Sequence, residues 1–127
     1  MTRGSHRTLW LAVGWFGVAV VVYFTLIPDP PQLDMEDGDK VQHLAAYACL
    51  MAWFAQARAP GAHRRTTGLL LVAMGILLEF AQGLTGYRFM SLADMAANTA
   101  GVALGWFAAP PRLPDVYGWS ANLLSRR

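Results

Sequence analysis

The stretch GILLEFAQGLTGYRFMSLADMAANTAGVALG, residues 75–105, decides how this chain is read. It holds the end of one apolar run and the start of another. Each is broken by polar residues, Glu79 and Gln82 in the first and Asp94 and Asn98 in the second. Residues three or four apart share one side of a helix, so Glu79 with Gln82, and Asp94 with Asn98, Gly101 and Gly105, form two faces rather than scattered interruptions. The lower part of the second face, Ala97-xxx-Gly101-xxx-Gly105, is a small-xxx-small ridge that lets another helix approach closely. Upstream, Asp39, His43 and Tyr47 form a third such row, with Lys40 beside it.

The rest of the chain explains why such faces matter. Its 127 residues supply one domain, and a composition 55% hydrophobic and 14% charged is more apolar than a soluble domain, in which about 25% of residues are charged. A helix crosses the hydrocarbon layer of about 30 Å with roughly 20 apolar residues. Four segments approach that length: 9–27, which has no charge and ends at Pro28, Pro30 and Pro31; 41–57, which stops before Arg58, Pro60 and Gly61; 67–84; and 91–109, before Pro110 and Pro111. The expected fold is therefore all-α, an integral membrane bundle of four transmembrane helices, followed by a tail over 110–127 that is either interfacial or disordered. Arg3 and Arg7 ahead of an apolar run also fit a signal peptide. The uncharged run exceeds the usual core of about 7–15 residues and lacks a small-x-small cleavage site, so a retained span is expected.

Charge sets the orientation. Eight of the ten Lys and Arg residues, Arg3, Arg7, Arg58, Arg64, Arg65, Arg112, Arg126 and Arg127, fall on one side of the four spans, and Lys40 and Arg88 on the other. Basic residues in short loops mark the cytoplasmic side, so both termini are expected inside a bacterial inner membrane. Trp10, Trp53 and Trp106 then lie near the inner interface, and Tyr23, Phe24, Tyr87 and Phe89 near the outer one. With about 1.5 Å of rise per residue, Glu79 lies about 13 Å below the outer edge, and His43, Asp94 and Asn98 lie nearer it. An acid at the centre of a spanning helix costs about 2.5–3.5 kcal/mol, so these groups are expected to face the bundle or a water-filled cavity.

The same residues carry a resemblance. DKVQHLAAYACL, EFAQ and YRFMSLADMAANTAGVALG, in this order, resemble the VanZ-like family of small bacterial membrane proteins, on Asp39, Lys40, His43, Tyr47, Glu79, Gln82, Arg88, Asp94, Asn98, Gly101 and Gly105. The resemblance spans nearly all of the hydrophobic chain. It implies an envelope-associated protein linked to teicoplanin-type glycopeptide resistance, without implying a reaction.

Three function classes are compatible with these residues. The first is an outward-facing pocket that binds a lipid headgroup or cell-wall precursor, with Lys40 and Arg88 as anion contacts and Asp39, His43, Tyr47, Glu79, Gln82, Asp94 and Asn98 completing it. The second is an intramembrane enzyme using His43, Glu79 and Asp94 as acid/base groups or metal ligands. The third is a proton-coupled carrier using Glu79 and Asp94, disfavoured because no internal repeat is visible and no polar group lies in the inner half. Plainer roles compete: Ser91-x-x-Asp94 fits a capping box, Gln82 reads as an interhelical hydrogen bond, Tyr47 as packing, and no helix start accounts for Glu79. No cofactor and no metal is expected in the first reading, and the partners are the bilayer and a lipid-linked ligand. The basic residues flank the spans, so the net charge of +2 needs no nucleic acid. DMEDGD lacks the spacing of a calcium loop and reads as a solvated acidic linker. Cys49, alone and placed inside the second span, is expected to be buried and inert.

Overall fold

The computed structural model describes residues 2–58 and 61–126; Pro60 of the expected helix stop and Arg127 of the basic tail lie outside the described residues. Five helices make up the fold: α1 (Arg3–Leu26), α2 (Gly38–Gln56), α3 (Ala62–Leu84), α4 (Leu92–Ala108) and α5 (Val116–Ser125). No strand occurs among the described residues. Prolines end α1, while α4 starts on Ser91, whose hydroxyl accepts from the Asp94 backbone N–H. α1 begins six residues before its uncharged run because Thr2 caps it, accepting from Ser5 N at 3.2 Å.

Helices α1 and α3, 24 and 23 residues long, have the length and composition of membrane spans. α2 is less apolar and α4, at 17 residues, is shorter, so two of the four expected spans meet that measure. In the tail, most of residues 110–126 is α5, started by Asp115, whose carboxylate accepts from Gly118 N at 2.8 Å.

The core centres on α2, which packs against all four other helices. Its Tyr47, Leu50, Met51 and Phe54 are buried with Leu71 of α3 and Val102 of α4. The tightest pairing is α2 with α4, and glycine causes it. A Cβ on Gly101 would strike the backbone carbonyl of Leu44, and one on Gly105 that of Ala48. The expected small-residue ridge is therefore the contact face for α2.

Reciprocal ties hold the two ends. At one end the Trp10 and Trp53 rings stack at 4.0 Å, and each indole N–H donates to the other residue's carbonyl, at 3.1 and 2.9 Å. His6 meets Ser120 of α5 there at 3.0 Å. Arg64, expected to be a loop charge, is instead buried and donates to the carbonyls of Ala55, Arg58 and Pro110, satisfying backbone oxygens where α2 and α4 run out. At the other end Gln82 donates to Thr25 O at 2.9 Å, and Tyr87 and Arg88 donate to the carbonyls of Leu26 and Ile27. Helices α1 to α4 thus alternate in direction, and the described basic residues other than Lys40 and Arg88 gather at the Trp10 end.

Polar side chains share the interior with the apolar core, and large apolar ones line the outside. His6, Arg64, Glu79, Gln82, Asp94 and Asn98 are buried, while Trp15, Phe16, Leu69, Leu70, Leu77, Leu84 and Phe107 face outward. Cys49 also faces outward, against the expectation of burial, because the buried side of α2 runs through Tyr47, Leu50 and Met51.

Gly101→Ala tests the α2–α4 contact. Helix propensity alone favours alanine by about 0.8–1.0 kcal/mol, whereas overpacking costs about 1–3 kcal/mol. Because the obstacle is backbone, overpacking should win, lowering the melting temperature by the equivalent of up to about 2 kcal/mol. Gly4→Ala, whose Cβ would come no nearer than 3.9 Å to Thr2 Oγ1, should not. Equal stability of both variants would contradict the close approach.

Candidate functional site

Close approach at Gly101 and Gly105 has a consequence one turn further along α4. Asn98 is brought against α2, where its Oδ1 lies 2.8 Å from His43 Nδ1. An amide oxygen can only accept, so Nδ1 carries the hydrogen and Nε2 is left facing Asp94, whose Oδ2 is 3.8 Å away. Glu79 enters from α3, and its Oε1 lies 4.0 Å from His43 Nδ1. One donor atom each from His43, Glu79 and Asp94 falls within 4.8 Å of the others.

Second contacts pin each acid. Glu79 is completely buried, and its Oε2 accepts from Ser91 N at 3.1 Å. Here a helix start does account for part of Glu79, against expectation. The Ser91 hydroxyl caps α4, but the reciprocal bond of a capping box, which Asp94 would supply, is made instead by Glu79 from the neighbouring helix. Asp94 is thereby free to face Lys40, whose Nζ lies 3.1 Å from Oδ1. Lys40 also donates to Asp39 Oδ2 at 2.6 Å.

The expected site residues separate into two groups. Asp39, Lys40, His43, Glu79, Asp94 and Asn98 form one connected cluster. Arg88, Gln82 and Tyr47 stand outside its bonds: Arg88 donates to Ile27 O at 3.2 Å, Gln82 holds Thr25 O, and Tyr47 is buried beneath, against Gly75. Lys40, expected as an anion contact, is occupied by two carboxylates, which leaves Arg88 as the cation beside open space. Sequence reasoning missed Ser91 as a donor to Glu79. Its position as a helix cap is legible, but the carboxylate receiving its N–H belongs to another helix.

Next to the cluster lies a cavity of about 280 Å³ between α1 and α2. Val20, Val21, Phe24 and Ala46 make its apolar wall, and Gln32, Asp39, Gln42, His43 and Arg88 its polar side. His43 belongs to both cavity and cluster. No protein-family model, curated protein or solved structure matches the chain.

Asp39 and Lys40 precede the second apolar segment and stabilise each other's charged forms. The Lys40 hydrogen bond holds the Asp39 carboxyl below its ordinary value of 3.8, and bonds from Asp39 and then Asp94 hold Lys40 above 10.5. A depressed acid contributes stability above its unfolded value and loses it as pH falls through the folded one. A raised base contributes below its unfolded value and loses it as pH rises through the folded one. Hydrogen exchange at the amides of Val41 to Leu44 should therefore be slowest, relative to the intrinsic rate, between about pH 4 and pH 10 and quicken in acid. Both side chains are about one-third exposed, so the effect should be small and weakened by salt. Unchanged protection on acidification would contradict the pairing.

Proposed function

We propose that this chain is a VanZ-like, four-span protein of the bacterial inner membrane, both termini cytoplasmic, whose outward-facing cavity binds the polar headgroup of a lipid or lipid-linked cell-wall precursor. In this reading the protein contributes to glycopeptide resistance of the teicoplanin type. The supporting observation is the cavity's two-sided lining, an apolar wall on α1 and α2 facing a polar side that includes Arg88. An amphiphile of matching polarity lays its chain along Val20, Val21 and Phe24 and its headgroup toward Arg88 and His43.

Membrane placement has its own support. Outward-facing Leu, Phe and Trp side chains cover the helices, and large exposed apolar surfaces mark contact with lipid or partners. The alternation of α1 to α4 gathers the basic residues at one end, which the positive-inside rule assigns to the cytoplasm. Trp10 and Trp53 then sit at the inner interface.

A second reading, an intramembrane enzyme in which His43, Glu79 and Asp94 share proton transfer, is favoured by one observation, their convergence within 4.8 Å beside the cavity. His43 is the group able to pass protons between cavity and buried acids.

Two experiments test the binding reading. Purified protein offered a polyisoprenyl-pyrophosphate lipid in nanodiscs should retain it in native mass spectrometry. Arg88→Gln should retain about tenfold less, since a hydrogen bond to a charged group contributes about 1.5–3 kcal/mol. Equal retention by the variant would overturn the headgroup assignment. In cells, Glu79→Gln should insert normally yet abolish any gain in teicoplanin tolerance given by the wild-type chain. Full tolerance in that variant would sink a functional role for the cluster.

A further inference from the structure

We propose that His43, Glu79 and Asp94 form a binding site for one divalent first-row transition ion, Zn²⁺ or Mn²⁺. This assignment does not depend on what enters the cavity.

The reason lies in how each residue is held. His43 donates Nδ1–H to Asn98 and keeps Nε2. Glu79 gives Oε2 to Ser91 N, while its buried Oε1 accepts no hydrogen bond from any described residue. Asp94 sets Oδ1 beside Lys40 and turns Oδ2 toward His43 Nε2. Every member has one atom fixed by a group that is not itself a ligand and a second atom left for the shared space. Metal sites are built this way, with a ligating histidine donating its other N–H to an oxygen and ligating carboxylates held by hydrogen bonds.

Charge points the same way. Lys40 and Asp39, 2.6 Å apart, neutralise each other. That leaves two buried carboxyl groups, Glu79 and Asp94, beside an imidazole whose Nε2 lies 3.8 Å from Asp94 Oδ2. A divalent cation in the shared space balances both carboxylates and takes Nε2 as a ligand. A tetrahedron with bonds of about 2.1 Å has edges of about 3.4 Å, so the 3.8 Å between Nε2 and Asp94 Oδ2 is nearly there, while Glu79 Oε1, 4.0 Å from Nδ1 of the same ring, must turn toward Nε2 to join them. One imidazole among two carboxylates favours zinc or manganese over calcium and magnesium, which prefer oxygen alone. Three protein ligands leave a further coordination position open, as in catalytic rather than structural sites.

The test uses the full chain, purified in detergent, stripped with chelator and titrated with Zn²⁺, Mn²⁺ or Co²⁺ alone. Elemental analysis should return one ion per chain. The Co²⁺ form should show the visible absorption of a four- or five-coordinate nitrogen and oxygen site. Glu79→Gln, Asp94→Asn and His43→Gln should each weaken binding at least tenfold, and Asn98→Ala, which keeps all three ligands, by about tenfold to a hundredfold. His63→Gln, on an exposed histidine at the start of α3, should bind as wild type. Lack of stoichiometric binding by the wild-type protein would overturn the proposal even where a variant fails to fold. Binding that survives both Glu79→Gln and His43→Gln would overturn it equally.

Discussion

The backbone contact between α2 and α4 is the constraint from which the rest of this structure follows. Gly101 and Gly105 present no side chain to α2, and the carbonyls of Leu44 and Ala48 occupy the space a methyl group would take. Only at that separation does a histidine on one helix reach an asparagine amide on the other at 2.8 Å. A wider spacing would leave His43, Asp94 and Asn98 buried without partners, at about 1–3 kcal/mol for each unsatisfied group. Small residues at one level of the bundle thus make polar ones tolerable at the next.

The polar layer obeys the same logic electrostatically. Buried carboxylates are costly unless paired and hydrogen-bonded. Asp94 has Lys40, and Glu79 has a backbone N–H at the start of α4, where the helix dipole also favours negative charge. Neither acid is fully compensated by these contacts: Glu79 Oε1 and Asp94 Oδ1 are buried and accept no hydrogen bond from any described residue. The opposite end is organised differently, by stacked indoles and one buried guanidinium, that of Arg64, which holds helix ends together.

Much of this was legible in the sequence because helical periodicity reports faces. The rows Asp39-His43-Tyr47, Glu79-Gln82 and Asp94-Asn98-Gly101-Gly105 needed only 3.6-residue spacing to be seen, and each lies on an inward side. Spacing does not report partners. Arg64 looks like one more loop charge until the carbonyls of Ala55, Arg58 and Pro110 are brought around it, the last of them 46 residues away. Lys40 looks like a free cation until Asp94 arrives from another helix. Cys49 was misread because a short apolar segment suggests burial all round, whereas α2 buries one side only. The helix in the tail was uncertain because ten residues are too few to hold a helix by local propensity alone, and packing against α1 and α2 decides it.

The bond from Ser91 to Glu79 spans twelve residues, and this short separation bears on how the chain is made. Loop closure over so few residues is cheap in entropy and fast. During synthesis the most deeply buried acid is therefore unpartnered only until the next helix begins. The first residue of that turn supplies its donor, so the α3–α4 hairpin carries its own carboxylate partner before it packs on α2. Glu79 is in this sense a checkpoint on hairpin formation, since an α4 that started one residue early or late would leave the acid bare.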